Sequence, residues 1–177
     1  YQATNDREID YAIVISLLER LTQQKQEEDS PLEHVLVFLP GWKQITDLAD
    51  RVGKSFMLSK NYEVLMLHSM LPLQQQRLVF TTPTKPRIIL ATNIAETSIT
   101  IPYVNIVVDS GYENTMNFNY FSNVDVMSLN RVTQSNVMQR RGRTGRLREG
   151  TCFHLYSFAT FQEMQPFIVP LRRGADA

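Results

Sequence analysis

Residues 87–111 read RIILATNIAETSITIPYVNIVVDSG and contain two short apolar runs separated by hydroxyl and amide side chains. The runs are Arg87–Ala91 and Val104–Asp109, and both are rich in Ile and Val at consecutive positions. Continuous apolar runs of this length are typical of strands buried on both faces of a parallel sheet. Three further runs of similar make-up are His34–Leu39, Glu63–Leu67 and Thr151–Tyr156.

The segments between these runs have helical patterns. Apolar residues with helical spacing predict a helix over Asp10–Gln23, ended by the polar stretch QQKQEEDSP. Further helices are predicted over Trp42–Val52, from Pro72 to about Phe80, and from about Thr133 onward. Residues 112–130 are polar and aromatic and predict a projecting hairpin. The alternation predicts a doubly wound α/β domain with a mainly parallel sheet, whose ligands gather at the loops that follow Leu39, Leu67, Ala91 and Asp109.

The composition limits the class of protein. The 177 residues suit one globular domain, and 18 basic residues balance 18 acidic ones. The one cysteine, Cys152, excludes an internal disulfide, so we expect a reducing compartment, the cytoplasm or alternatively the nucleus. Three separated histidines, His34, His68 and His154, with that cysteine argue against a structural zinc site. We therefore expect no metal ligands in this chain.

The tripeptide Gly53-Lys54-Ser55 matches only the end of a phosphate-binding P-loop. Leu48 stands where the pattern needs its first glycine, and the tripeptide follows a helix rather than a strand. Gly53 is better interpreted as the end of that helix. Because no acidic stretch resembles a magnesium-binding DExD/H run either, this chain cannot assemble an ATPase site by itself.

Residues 139–146 read QRRGRTGR and carry a dense group of arginines. Arg143 and Arg146 share a face if the segment is helical, and Gly142 and Gly145 let another surface approach closely. Two guanidinium groups on a small patch suit the oxygens of a triphosphate, and Gln139 adds an amide for a water molecule. The alternative is a basic helix that binds nucleic-acid backbone without specificity.

Residues 91–101 read ATNIAETSITI and place five hydroxyl or amide side chains after a buried strand. Thr92 or Asn93 is expected to cap the next helical turn, with Glu96 near its positive end. Five such groups exceed what capping needs, so the stretch also predicts donors for phosphate groups.

Four segments together resemble the C-terminal RecA-like domain of DEAH/RHA-type (DExH-box) RNA helicases: VLVFLPGWKQI, LMLHSMLPLQQQRLVF, residues 87–111, and QRRGRTGR. The resemblance runs from about Tyr11 to Tyr156 and implies a three-layer α/β/α fold. FLPG followed by Trp42 resembles the RNA helicase A/maleless branch and its relatives with Tudor or YTH domains.

The resemblance also implies roles for individual residues. Arg143 and Arg146 would be arginine fingers, with Gln139 placing the attacking water. The implied nucleotide contacts are Phe80, Ser98 and Thr100. The implied contacts to RNA are Gly41, Trp42, His68, Ser69, Thr92, Asn93 and Thr97.

The same resemblance implies partners. ATP with Mg²⁺ would be held mainly by an N-terminal RecA-like domain, and residues 165–177 would begin a linker to a winged-helix region. The RNA partner would be single-stranded, and we expect this fragment alone to be inactive. Two departures from the family are Pro102, where Asp is frequent, and Asn114, near a usual lysine. They favour the alternative of a non-catalytic RNA-binding or protein-docking domain. A Rossmann-like enzyme lacks support because the chain has no GxGxxG.

Overall fold

A computed structural model describes residues 9–97, 99–144 and 149–168. Its centre is a sheet of five parallel strands in the order β2-β3-β1-β4-β7. The strands are β1 (His34–Phe38), β2 (Glu63–Leu67), β3 (Arg87–Ala91), β4 (Val104–Asp109) and β7 (Thr151–His154). The sequence predicted all five, and the bounds of β2, β3 and β4 are confirmed to the residue. The last strand ends two residues before the predicted Tyr156.

Helices cover both faces of this sheet, which confirms the three-layer α/β/α fold. The helices are α1 (Tyr11–Glu27), α2 (Trp42–Lys54), α3 (Phe56–Asn61), α4 (Leu73–Gln76), α5 (Gln134–Arg141) and α6 (Phe158–Glu163). Short 3₁₀ helices span Arg77–Phe80 and Asn93–Ala95.

Alternate side chains of the strands build two cores, one on each face of the sheet. Val35 and Val37 face the core formed with α1, α2 and α3. Leu36 and Phe38 face the other core, which includes Val79 and residues that follow β3. All four strand side chains are buried, as expected for a sheet covered on both sides.

Two helix ends differ from the sequence prediction. The first helix continues four residues beyond Gln23, because the polar stretch supports it with side-chain bonds one turn apart, from Gln23 to Glu27 and from Gln24 to Glu28. Gly53 does not end its helix; it lies inside the last turn of α2, and Ser55 follows as the cap of both α2 and α3. The P-loop-like tripeptide therefore joins two helices and no strand enters it.

The predicted hairpin is confirmed as a separate two-stranded antiparallel ribbon, β5 (Tyr112–Asn119) and β6 (Val124–Arg131). Ser110 and Gly111 alone separate it from β4. The tip is open to solvent, with Phe121 fully exposed and Tyr120 87% exposed. Along one face of the ribbon, Met116 and Met127 are paired across the strands and more than half exposed.

Candidate nucleotide and nucleic-acid interface

The carboxyl ends of the parallel strands meet at one edge of the sheet, and three loops at that edge carry the predicted RNA contacts. This is the edge at which open α/β sheets bind their ligands. Gly41 and Trp42 follow β1, His68 and Ser69 follow β2, and Thr92, Asn93 and Thr97 follow β3. The fold therefore places all seven predicted RNA contacts on the same side of the molecule.

Trp42 and His68 touch each other across this edge. Their ring centroids are 5.6 Å apart and the rings are tilted by 59°. The His68 Nδ1 atom accepts a hydrogen bond of 3.0 Å from the Met70 N–H. Burial lowers the pKa of His68, so the imidazole is neutral at pH 7. Trp42 is 40% exposed, which leaves part of an aromatic surface open for a base to stack on.

Gly41 packs directly against the base of the hairpin. A Cβ atom on Gly41 would collide with the amide nitrogen of Asn114. Asn114 therefore lies beside the loop that follows β1, in the part of the hairpin where the family resemblance implies a nearby lysine that touches RNA. A neutral amide there supplies hydrogen bonds but no charge attraction for phosphate.

Asn93 is engaged at both ends of its amide group within the protein. Its Nδ2 atom donates to Glu113 over 2.9 Å, and its Oδ1 atom accepts from Arg140 over 2.8 Å. Neither predicted cap forms: Thr92 precedes the short 3₁₀ turn without a side-chain bond to it, and Asn93 is already inside that turn. Direct contact of Asn93 with RNA stays a prediction that depends on its second amide hydrogen.

The expected role of Glu96 at the positive end of a helical turn is wrong. The 3₁₀ turn closes at Ala95, so Glu96 lies at its carboxyl end. Its side chain is buried and accepts hydrogen bonds from Arg140 over 2.8 Å and from Asn136 over 2.9 Å. The carboxylate therefore serves as a buried partner for a cation rather than as a cap.

Arg140 is the residue at this edge that sequence reasoning missed. Its side chain is fully buried, and its guanidinium lies over the ring of Phe38 at 5.0 Å. Nε donates to Glu96, Nη1 to Asp109 and Nη2 to Asn93, each over 2.8 Å. The sequence contained one indication that Arg140 is buried. Val137, an apolar residue expected in the core, lies three residues earlier and therefore on the same helix face as Arg140.

Asp109, at the end of β4, is the second anchor of this buried network. Its Oδ1 atom accepts from Arg140, and its Oδ2 atom accepts from the Tyr156 hydroxyl over 2.5 Å and lies 3.3 Å from His154 Nδ1. Burial alone would raise the pKa of Asp109, but the bonds from His154 and Tyr156 and the charge of Arg140 lower it to about 2. Asp109 is therefore a carboxylate at neutral pH.

Arg143 and Thr100, two of the residues implied to lie at the nucleotide, are hydrogen-bonded to each other. Arg143 Nη1 donates to Thr100 Oγ1 over 3.4 Å, and the side chain of Gln139 is exposed nearby in sequence on α5. The helical premise for Arg143 is wrong, because α5 ends at Arg141 and Arg143 lies in the following turn. Arg146, Gly145 and Ser98 lie outside the described residues.

Phe80 ends the 3₁₀ helix after α4 and is 45% exposed. The preceding Val79 packs in the same core as Ile101, next to Thr100. Phe80 and Thr100 therefore belong to the same layer of the domain, on the face that also carries α5. Stacking of the Phe80 ring on adenine stays a prediction.

In the described residues, no group of three or more His, Cys, Asp or Glu side chains is placed to hold a metal ion. The described helices also include none with the length and apolar character to cross a bilayer.

Comparison with known proteins gives a consistent family. The family described as "Helicase conserved C-terminal domain" matches residues 13–148. The DExH-box ATP-dependent RNA helicase DExH6 of Arabidopsis thaliana is 36% identical over 175 residues, which cover 96% of this chain and 13% of that protein. The ATP-dependent DNA/RNA helicase DHX36 of Homo sapiens is 39% identical over 155 residues, 86% of this chain and 15% of that protein.

A solved structure agrees with these relatives. The E. coli DExH-box NTPase HrpB superposes with a TM-score of 0.78 at 27% identity, over 96% of this chain and 20% of that one. The chain thus spans a small part of the length of each protein it matches. Together with the parallel sheet and the projecting hairpin, these matches show that the chain belongs to the helicase conserved C-terminal domain family, of the type found in DEAH/DExH-box helicases.

Proposed function

We propose that this chain is the second motor domain of an ATP-dependent RNA helicase, which supplies arginine fingers for NTP hydrolysis and contacts to the backbone of single-stranded RNA. The observation that carries the proposal is the contact between Arg143 and Thr100. It joins two residues expected at a nucleotide, and exposed Gln139 lies four residues before Arg143 in the sequence. The proteins it resembles are named ATP-dependent helicases.

Arg143 and Arg146 would approach the γ-phosphate of a nucleotide bound to an N-terminal RecA-like domain. Phosphoryl transfer passes through a loose transition state whose charge is spread over the γ-oxygens, and a guanidinium group stabilises that charge. Gln139 would hold the attacking water through its amide. Phe80, Ser98 and Thr100 would contact the base and the sugar-phosphate of the nucleotide.

The described part of this chain has no group of three or more His, Cys, Asp or Glu side chains placed to hold a metal ion. The side chains of Arg143, Thr100 and Gln139 carry hydrogen-bond donors that suit phosphate oxygens. We therefore assign this chain to the phosphate and RNA, and we propose that the metal accompanies the nucleotide on the N-terminal domain.

RNA would lie along the carboxyl edge of the sheet. Trp42 and His68 offer aromatic and neutral imidazole groups, and Ser69, Thr92 and Thr97 offer hydroxyl groups that suit phosphates and 2′-hydroxyls. Contacts of this kind hold any sequence, which a protein that moves along a strand requires. A winged-helix region of the same chain would complete the RNA channel.

The test compares two neighbouring arginines in the full-length protein. We expect Arg143→Ala to lower RNA-stimulated ATP turnover by about 10³-fold or more, while ATP binding stays close to wild type. Arg141→Ala is the matched control, because Arg141 is an exposed arginine two residues away. Normal turnover of the Arg143→Ala protein would contradict the proposed catalytic role.

A non-catalytic RNA-binding or protein-docking domain is the second candidate. The observation in its favour is the hairpin, whose only basic residue is Arg131 at the end of β6 and which exposes Met116 and Met127. Exposed apolar surface of this kind favours contact with protein more than with phosphate. The same assay separates the two candidates, because a docking domain would show no RNA-stimulated turnover in the wild-type protein.

A further inference from the structure

One guanidinium group joins four separate segments at the carboxyl edge of the sheet. Arg140, on α5, donates to Asn93 and Glu96 in the segment after β3, and to Asp109 at the end of β4. It also donates to the backbone oxygen of Tyr112, the first residue of the hairpin, over 3.2 Å. The guanidinium group therefore bonds directly to segments that lie up to 47 residues away in the sequence.

This junction is charged and rigid. Arg140 and Asp109 are fully buried and Glu96 is 4% exposed, so water does not compete for these bonds. The flat guanidinium presents its donors in a fixed fork, which a flexible ammonium group cannot imitate. A buried ion pair of this kind is weak evidence for stability, because well-packed apolar groups frequently do as well. Its geometry therefore calls for an explanation beyond holding the fold together.

Arg140 is connected to the turn that carries Arg143. The Arg143 N–H donates to the Arg140 carbonyl oxygen over 3.1 Å, and the Thr144 N–H donates to the Arg141 carbonyl oxygen over 3.3 Å. The turn is therefore built on the last residues of α5. A shift of the Arg140 side chain moves the backbone from which Arg143 reaches Thr100.

Arg140 is connected equally to the predicted RNA edge. Asn93 Oδ1 accepts from Arg140, and Asn93 Nδ2 donates to Glu113 on the hairpin. A strand of RNA that engages Asn93 or displaces the hairpin base therefore changes a direct partner of Arg140. The path from Asn93 to the backbone of Arg143 passes through one residue.

We propose that Arg140 is a positioning residue through which single-stranded RNA at Asn93 sets the orientation of Arg143, so that RNA stimulation of NTP hydrolysis depends on its guanidinium. This proposal rests on the function proposed above and adds the route by which RNA acts on it. The Arg140 side chain is fully buried, so it would not contact the nucleotide or the RNA itself. It acts on hydrolysis only through the turn that follows α5.

The experiment uses Arg140→Lys in the full-length protein, because lysine keeps the charge between Glu96 and Asp109 but cannot reach all four acceptors. We expect kcat with saturating oligo(U) RNA to fall by about 10²-fold, the cost of a misplaced catalytic group. KM for ATP and Kd for labelled oligo(U) should stay close to wild type. Arg141→Lys, at an exposed neighbour on the same helix, should keep wild-type stimulation.

A double-mutant cycle with Asn93→Ala tests the route itself. If RNA acts through Asn93 and Arg140 in series, the double variant at saturating RNA should lose no more of kcat than Arg140→Lys alone. Additive losses would show two independent effects and would overturn the proposal. If Arg140→Lys lacks a cooperative thermal transition, Asn93→Ala carries the test alone, with lost RNA stimulation as the expected result and retained stimulation as the contrary one.

The possible failures are distinguishable. Wild-type protein without RNA-stimulated turnover, or normal turnover of Arg143→Ala, removes the proposed function and this proposal with it. If Arg143→Ala is inactive while Arg140→Lys is stimulated by RNA as strongly as wild type, only the proposed role of Arg140 is wrong. A lowered melting temperature with full stimulation would show that Arg140 serves the fold alone.

Discussion

Arg140 and Asp109 form an ion pair with both side chains completely buried, and 2.8 Å separates Nη1 from Oδ1. The pair connects α5 to the end of β4, which are distant in sequence. Removing one member of a buried pair leaves the other charge without compensation, and that loss exceeds the net contribution of the intact pair.

We therefore expect Arg140→Ala to lower the free energy of unfolding by about 3–5 kcal/mol, because Glu96 and Asp109 would both stay buried without a cation. Urea denaturation followed by circular dichroism measures the change. Arg141→Ala, at the exposed neighbour, should change it by less than about 0.5 kcal/mol. Equal stabilities of Arg140→Ala and Arg141→Ala would show that the buried ion pair between Arg140 and Asp109 does not stabilise the fold.

Acid should destabilise the fold through Asp109. The pKa of Asp109 is about 2 in the folded protein, compared with an ordinary value of 3.8 that applies to the unfolded chain. Its contribution to the free energy of unfolding is therefore fully present above about pH 4 and is lost as the pH falls toward 2. The shift corresponds to about 2 kcal/mol. Urea midpoints at pH 7, 4 and 2.5 should converge for wild type and Asp109→Asn as the pH falls. A difference that is constant with pH would contradict the assignment.

Two glycines should respond to alanine in opposite directions. Gly111 has a φ of +78°, and a Cβ there would lie 2.5 Å from Tyr156 Cδ1, so Gly111→Ala should cost about 1–3 kcal/mol through strain and overpacking. Gly53 lies inside α2 with open space around it, so Gly53→Ala should stabilise by about 0.5–1 kcal/mol. Thermal denaturation of both variants checks the signs.

Cys152 should be a slow nucleophile in the folded chain. Burial and the charge of Asp109 raise the pKa of its thiol to about 12. The raised pKa lowers the thiolate fraction about 10³-fold, but a more basic thiolate is also a stronger nucleophile, which offsets part of that loss. The reaction of Cys152 with a disulfide reagent at pH 8 should therefore be roughly 30-fold slower than after unfolding in urea. Equal rates before and after unfolding would show an accessible thiol.

The isolated 177-residue chain should hydrolyse no ATP, with or without single-stranded RNA. Its described residues contain no group of three or more His, Cys, Asp or Glu side chains placed to hold a metal ion, and the sequence lacks a P-loop. A phosphate-release assay at high protein concentration checks this. Turnover that copurifies with the chain and is abolished by Arg143→Ala would contradict the assignment of a half-site.

The sheet could be predicted because its strands are short apolar runs buried on both faces, as Ile88–Leu90 illustrates. The parallel arrangement also predicted that the loops after β1, β2 and β3 lie together at the carboxyl edge of the sheet. The sequence could not show that Glu96 and Arg140 meet, because 44 residues separate them and six arginines of similar appearance lie within residues 131–148. Long-range pairing of charges depends on the packed fold, whereas capping and periodicity are local.

The connection between the hairpin and the sheet is short and hydrogen-bonded. Ser110 and Gly111 alone separate the hairpin from β4, the Gly111 N–H bonds back to Asp109 over 2.9 Å, and eight residues of β5 extend about 26 Å beyond. A displacement of Phe121 at the tip of the ribbon would therefore be transmitted to its base, which is bonded to Asp109. Asp109 in turn binds Arg140 of α5, so the exposed tip is mechanically connected to the buried ion pair.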